Sequence, residues 1–149
     1  MVKSFSWTAV IAWMALIFYL SHQPATVSSE LSSEITEVIV QIIEIVAPNT
    51  QFEFGNLNHL VRKNAHFFAY LVLGLLTINA LRRSGSNGYR SMGVALVICI
   101  LYAISDEVHQ LFVPGRSGEV RDVLIDTAGA SVGIGMYWLF SRVLKKTAT

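Results

Sequence analysis

One cysteine, three prolines and a charged fraction of only 14% in 149 residues remove several classes of protein at once. Cys99 has no partner with which to close an internal disulfide, so a disulfide scaffold is excluded, and its place in an apolar run reads as a small buried hydrophobe. So little charge on a chain that is 53% hydrophobic, with a mean hydropathy of +0.52, does not suit a water-soluble domain and points to a bilayer as the solvent. A net charge of +1 leaves no basic footprint for a nucleic-acid partner. Carboxylates are missing from residues 1–29, 54–105 and 127–149: all ten fall within 30–53, 106–107 and 119–126.

What the chain does have is long apolar runs. Residues 5–22 are long enough for a short membrane span. No small-x-small cleavage site follows Leu20, and Ser21-His22-Gln23-Pro24 reads as a helix end before a turn, so a retained anchor is expected rather than a removed signal peptide. Residues 57–81, 92–113 and 120–140 supply three further spans, the first two separated by a Ser84-Gly85-Ser86-Asn87-Gly88 turn. Residues 31–46 differ. Leu31, Ile35, Val38, Ile39, Ile42 and Val46 recur at helical spacing, while Ser32, Ser33, Glu34, Glu37, Gln41 and Glu44 take the other side. This is an amphipathic helix, too acidic to cross a bilayer and expected to lie at its surface, packed on the other helices. Pro48 closes it, and a short loop is expected over residues 51–56. The fold expected is all-α: a polytopic membrane four-helix bundle with an additional amphipathic interfacial helix, in one domain over 1–149.

Four spans put both termini on one side of the membrane. Lys3, Arg82, Arg83, Arg90, Arg142, Lys145 and Lys146 share that side, against Arg62, Lys63, Arg116 and Arg121 on the other. The positive-inside rule then places both termini in the cytoplasm and every carboxylate in the outer half.

Asp106, Glu107 and Asp126 fall inside apolar helices, where a charge costs at least about 2.5 kcal/mol and marks a site facing the protein interior. In the 57–81 span His59, Lys63, His66 and Tyr70 share a face, with Arg62 beside it. In the 92–113 span Asp106 and Gln110 share a face, His109 is close to both, and Glu107 points about 100° away. Asp106 lies eight residues before Pro114, roughly 12 Å down that helix. In the last span Asp122, Asp126, Gly129 and Gly133 form a stripe, and Gly129-x-x-x-Gly133 is a small-residue pattern that lets helices approach closely. These stripes predict a polar pocket at one end of the bundle, beneath a lid over residues 114–121 that carries Arg116 and Arg121.

The charges of that pocket nearly balance. Mutual ion pairing could satisfy them, and a ligand-free salt-bridge network is the plain structural alternative. The excess of charge over what helix packing needs favours a functional site. Lone polar and aromatic residues carry less weight: His22 reads as an interfacial residue, Asn79 as an interhelical hydrogen bonder, and Trp7, Trp13 and Trp138 as packing or interface anchors.

Lys63-x-x-His66-x-x-x-Tyr70, then Asp106-Glu107-x-x-Gln110, then Pro114-Gly115-Arg116 and Asp122 before a glycine-rich helix, together with Ser21-x-Gln23-Pro24, make a pattern covering most of the chain. It resembles the VanZ-like family of small bacterial integral membrane proteins. The resemblance implies a four-helix membrane domain and a link to glycopeptide resistance, the founding member being associated with resistance to teicoplanin. The chain departs from the family's pattern at Asp126, where relatives often carry asparagine, which adds a titratable group to the pocket.

Three functions fit these residues. An enzyme acting on an anionic lipid or lipid-linked cell-wall precursor would hold a phosphate or carboxylate with Arg62, Lys63 and Arg116 and use His66, Asp106 and Glu107 as acid–base groups. Tyr70, His109, Gln110, Asp122 and Asp126 would line the ligand site. A binding or masking module would need the same cationic clamp and no acid–base pair. A transport or proton-coupled accessory protein would use the buried carboxylates as a relay. His66, Asp106, Glu107, His109 and Asp122 offer nitrogen and oxygen ligands, but no HExxH-like spacing occurs, so no metal and no other cofactor is expected.

Overall fold

In the computed structural model residues 2–46 and 54–147 are described, and they form five helices with no strand among them. These are α1 (Val2–Ser21), α2 (Ala25–Val46), α3 (Phe54–Arg83), α4 (Gly88–Gln110) and α5 (Val120–Thr147). All but α2 are long and apolar enough to cross a membrane. The closing residue Pro48 and most of the loop expected over 51–56 lie outside the described residues, while from Phe54 the chain is already helical.

The most extensive interface joins α3 to α5, and the glycine pattern of α5, read as permitting close approach, lies in it. A Cβ on Gly129 would fall onto the carbonyl oxygen of Phe67, and one on Gly133 onto that of Leu71. Bare backbone at both positions is what allows the two helices to touch, in a solvent that provides no hydrophobic force between them. Around this pair α1 and α4 are fastened by single polar contacts. Trp13 Nε1 donates to the carbonyl of Ala69 at 2.9 Å, and Tyr102 Oη donates to that of Met14 at 2.6 Å. Cys99 is buried in the core with Tyr70, Leu73 and Ala103. Asn79 accepts from Arg83 Nε at 3.1 Å along its own helix, so it is not the interhelical bonder that its position suggested.

α2 begins at Ala25, six residues earlier than the periodicity suggested, and packs on α3 in an unexpected sense. Its buried residues are Ser32 and Thr36, and Asn58 of α3 donates to Ser33 Oγ at 2.9 Å. Leu31, Ile35, Val38 and Ile42 stay exposed. In water that stripe would turn inward. Beside lipid it has no reason to, and small side chains make the closer helix–helix seam.

α4 ends at Gln110, three residues short of the expected boundary. Phe112 and Val113 bond back to His109 and Gln110 in a tightened last turn, since the residue before a proline is pushed out of the α region. Asp106 therefore sits one turn from the end of α4 and not about 12 Å down it. Gly115 follows with φ of +76°, a left-handed conformation that suits glycine, and lets the chain turn back across the bundle towards α5.

Candidate functional site

The end of the bundle formed by the close of α1 and α4 and the start of α3 and α5 holds the polar residues. His66, Asp106, Glu107 and Asp126 converge there, each offering one ligating atom within 4.8 Å of the others. The three carboxylates are at most 5% exposed. Each is held differently. Asp106 Oδ2 accepts from Ser21 Oγ at 2.8 Å and from Gln110 Nε2 at 3.2 Å, leaving Oδ1 without a partner. Glu107 Oε2 accepts the backbone N–H of Glu119 at 2.7 Å, and Oε1 has only a long contact of 3.4 Å with Gln110 Nε2. Asp126 Oδ1 lies 3.5 Å from His66 Nδ1, which falls short of a hydrogen bond, so neither of its oxygens has a hydrogen-bond partner.

The balanced pairing foreseen from the charge count does not form within this cluster. Lys63, which was expected to hold a ligand, instead places Nζ 2.7 Å from Asp122 Oδ1 and 3.3 Å from Glu119 Oε2. The pair lies at the start of α5, where the helix dipole also favours Asp122. Arg116 spends its donors on neutral acceptors: Nε on the carbonyl of Gln23 at 2.9 Å, Nη2 on that of Leu20 at 3.3 Å, and Nη1 on Gln110 Oε1 at 3.3 Å. These bonds fold residues 114–119 over the pocket and tie them to the α1–α2 turn, where the N–H of Ala25 also reaches the carbonyl of Pro114 at 3.3 Å.

Next to the cluster lies a cleft of about 390 Å³ between α1, α2 and α3. Ile17, Leu20, Leu31, Ile35 and Val61 wall most of it, and Arg62, His66 and Arg116 supply its polar end. Arg62 makes no hydrogen bond or ion pair with any described residue. Burial and the nearby Arg62 together lower the Arg116 guanidinium from its ordinary value, and Asp106 and Glu107 offset part of this. Two cations thus face one mostly apolar cleft, which Glu34 also lines, and no carboxylate of the described residues is bound directly to either.

A family model described as VanZ/LLP1 matches residues 6–141, a stretch that contains both the cluster and the cleft. The chain belongs to the VanZ/LLP1 family. No curated protein and no solved structure matches it. This VanZ/LLP1 chain is a multi-pass membrane protein, and most of the residues that carried the resemblance, from Ser21 and Lys63 to Arg116 and Asp122, gather at this one end of its bundle.

Of the site residues expected from the sequence, the structure brings His66, Asp106, Glu107 and Asp126 together and holds Gln110 against them. Arg62, Tyr70 and Arg116 line the adjoining cleft. His66 meets Asp126, and Glu107 turns into the cluster instead of away from it. Lys63 and Asp122 are bonded to each other, and His109 is directed elsewhere. Its Nε2 lies 3.1 Å from His22 Nδ1, and its ring packs 4.4 Å from that of Phe18. His59 remains exposed. Sequence reasoning did not assign Ser21, Gln23 or Glu119 to the site. Ser21 and Gln23 already stood in the motif after the first span, and that motif was the available signal.

Proposed function

We propose that this VanZ/LLP1 protein binds an anionic lipid or lipid-linked cell-wall precursor, with its charged head group between Arg62 and Arg116 and its hydrocarbon along the apolar wall of the cleft. The observation that carries this reading is the pair of guanidiniums on a mostly apolar cleft in which Glu34 is the one carboxylate among the described lining residues. Like charges brought together in a partly dehydrated place raise the energy of the empty pocket, and an anion between them removes that cost. Arginine suits the task because its planar donors match phosphate and carboxylate oxygens two at a time. The pocket faces outward from a bacterial cytoplasmic membrane in this reading, with both termini in the cytoplasm, which the distribution of basic residues supports. Tolerance of teicoplanin would follow if the bound lipid is a precursor that the antibiotic also meets, a link carried by family membership.

A second reading, chemical processing of the head group, is favoured by His66. Its side chain lines the cleft while Nδ1 faces Asp126, the arrangement of an oriented acid–base group.

Native mass spectrometry of the purified protein with graded phosphatidylglycerol and phosphatidylcholine tests the binding. Wild type should retain the anionic lipid preferentially, and Arg62→Gln should lose that preference by roughly tenfold or more, as expected when a charge-assisted contact worth about 1.5–3 kcal/mol is removed. Equal retention of the two lipids by wild type would overturn the reading. Processing is tested separately by lipid-linked precursor turnover in membranes, which His66→Asn should abolish while bound lipid is retained.

A further inference from the structure

We propose that His66, Asp106, Glu107 and Asp126 form a binding site for one divalent cation of the Mn2+ class. The cluster adjoins the arginine pair and shares His66 with the cleft, but its three carboxylates are not among the groups proposed to hold the head group, so the inference does not depend on that reading.

Charge supplies the first argument. Three carboxylates are buried together at one end of a membrane bundle, and the nearest basic side chains are engaged elsewhere: Lys63 on Asp122 and Glu119, Arg116 on Gln23, Leu20 and Gln110. His66 is the one basic side chain within the cluster among the described residues, and it meets Asp126 at a distance too long for a hydrogen bond. Buried carboxylates are ordinarily hydrogen-bonded, paired with a base or bound to a metal. Here the first two options are incomplete.

The unused atoms supply the second argument. Asp126 is fully buried, and both of its oxygens lack a hydrogen-bond partner. Asp106 keeps Oδ1 free while Ser21 and Gln110 fix Oδ2. Glu107 has Oε2 fixed by the Glu119 N–H and its other oxygen nearly free. One oxygen held by a donor and the other left open is how a carboxylate is oriented towards a cation.

Distance and chemistry agree. Donor atoms on opposite sides of an octahedral cation at about 2.1 Å stand about 4.2 Å apart, so ligating atoms within 4.8 Å need to close by only a few tenths of an ångström each. Carboxylates suit Mg2+ and Mn2+, and imidazole suits the transition metals, so three carboxylates with one imidazole meet at Mn2+. The residues come from three helices at separations that no short motif would reveal. That explains why spacing alone gave no expectation of a metal.

The test uses the full-length protein in phosphatidylcholine nanodiscs, treated with EDTA, dialysed, and titrated with MnCl2 while the sharp spectrum of free Mn2+ is followed by electron paramagnetic resonance. One saturable ion per chain is expected, reversed by EDTA and accompanied by a rise in unfolding temperature. Asp126→Asn and Asp106→Asn should each weaken binding by at least about tenfold, whereas Glu30→Gln and Glu37→Gln, which alter exposed acids on α2, should not. Asp126→Asn removes a buried charge that has only the long His66 contact at 3.5 Å and no hydrogen bond, so in EDTA it should unfold no earlier than wild type, which separates loss of metal from loss of fold. Absence of a saturable site in wild type, or wild-type affinity for Mn2+ in both aspartate variants, overturns the proposal. The lipid titration run in EDTA reports on the arginine pair alone, so either idea can fail without the other.

Discussion

Ser21 Oγ donates to Asp106 Oδ2 at 2.8 Å, joining the last residue of α1 to a carboxylate one turn from the end of α4. The two residues are 85 positions apart in sequence, and both are buried. Together with the Tyr102 contact on Met14, this bond makes the polar end of α1 part of the site as well as a membrane anchor.

Ser21→Ala should therefore destabilise the protein by about 1–3 kcal/mol, the cost of leaving a buried acceptor short of its donor, with only Gln110 at 3.2 Å remaining on Oδ2. Reversible unfolding in detergent micelles is the measurement. A variant as stable as wild type would mean that Asp106 does not need this donor.

Lys63 and Asp122 should behave as a unit. Lys63→Met leaves Asp122 and Glu119 without their base, and Asp122→Asn leaves Lys63 with only the longer 3.3 Å contact to Glu119, so each change should destabilise. The double variant should recover part of the loss, with a coupling energy of about 0.5–3 kcal/mol from the four unfolding curves. Strictly additive losses would show that the ion pair does not hold α3 to α5.

Glycines of α5 separate into those that permit contact and those that do not. Gly133→Ala drives a methyl group into the Leu71 carbonyl and should cost about 1–3 kcal/mol or more by forcing the two helices apart. Gly135→Ala meets nothing within 4 Å and, alanine being the better helix former, should leave stability unchanged or raise it by up to about 1 kcal/mol. Thermal stability by fluorescence-detected size exclusion distinguishes them, and equal changes at both positions would show that close packing at Gly133 does not decide the outcome.

Hydropathy and spacing alone made much of this protein legible. Four apolar runs fixed the number of spans, because a bilayer accepts few other backbone arrangements. The Gly129–Gly133 pair named the closest helix–helix seam, because only small residues permit such contact. Asp106, Glu107 and Asp126 marked where the buried polar cluster lies, because unneutralised charge in an apolar helix has to face the protein interior.

Spacing places a residue on a helix face, but it does not set how that helix is rotated against its neighbours. His109 and Gln110 are adjacent in sequence, yet one turns to His22 and Phe18 while the other donates into the cluster. The same rotation matched Lys63 with Asp122 and left Arg62 and Arg116 to the cleft. It also brought Ser32 and Thr36 of α2 against α3 while Leu31 and Ile35 stayed outward, because small side chains give the tighter seam and lipid is as good a solvent as protein for the larger apolar ones. The sequence determined which groups are present and at which end of the bundle they lie; the packing of α1, α3, α4 and α5 alone decided which of them neutralise one another and which three carboxylates are left facing a common point.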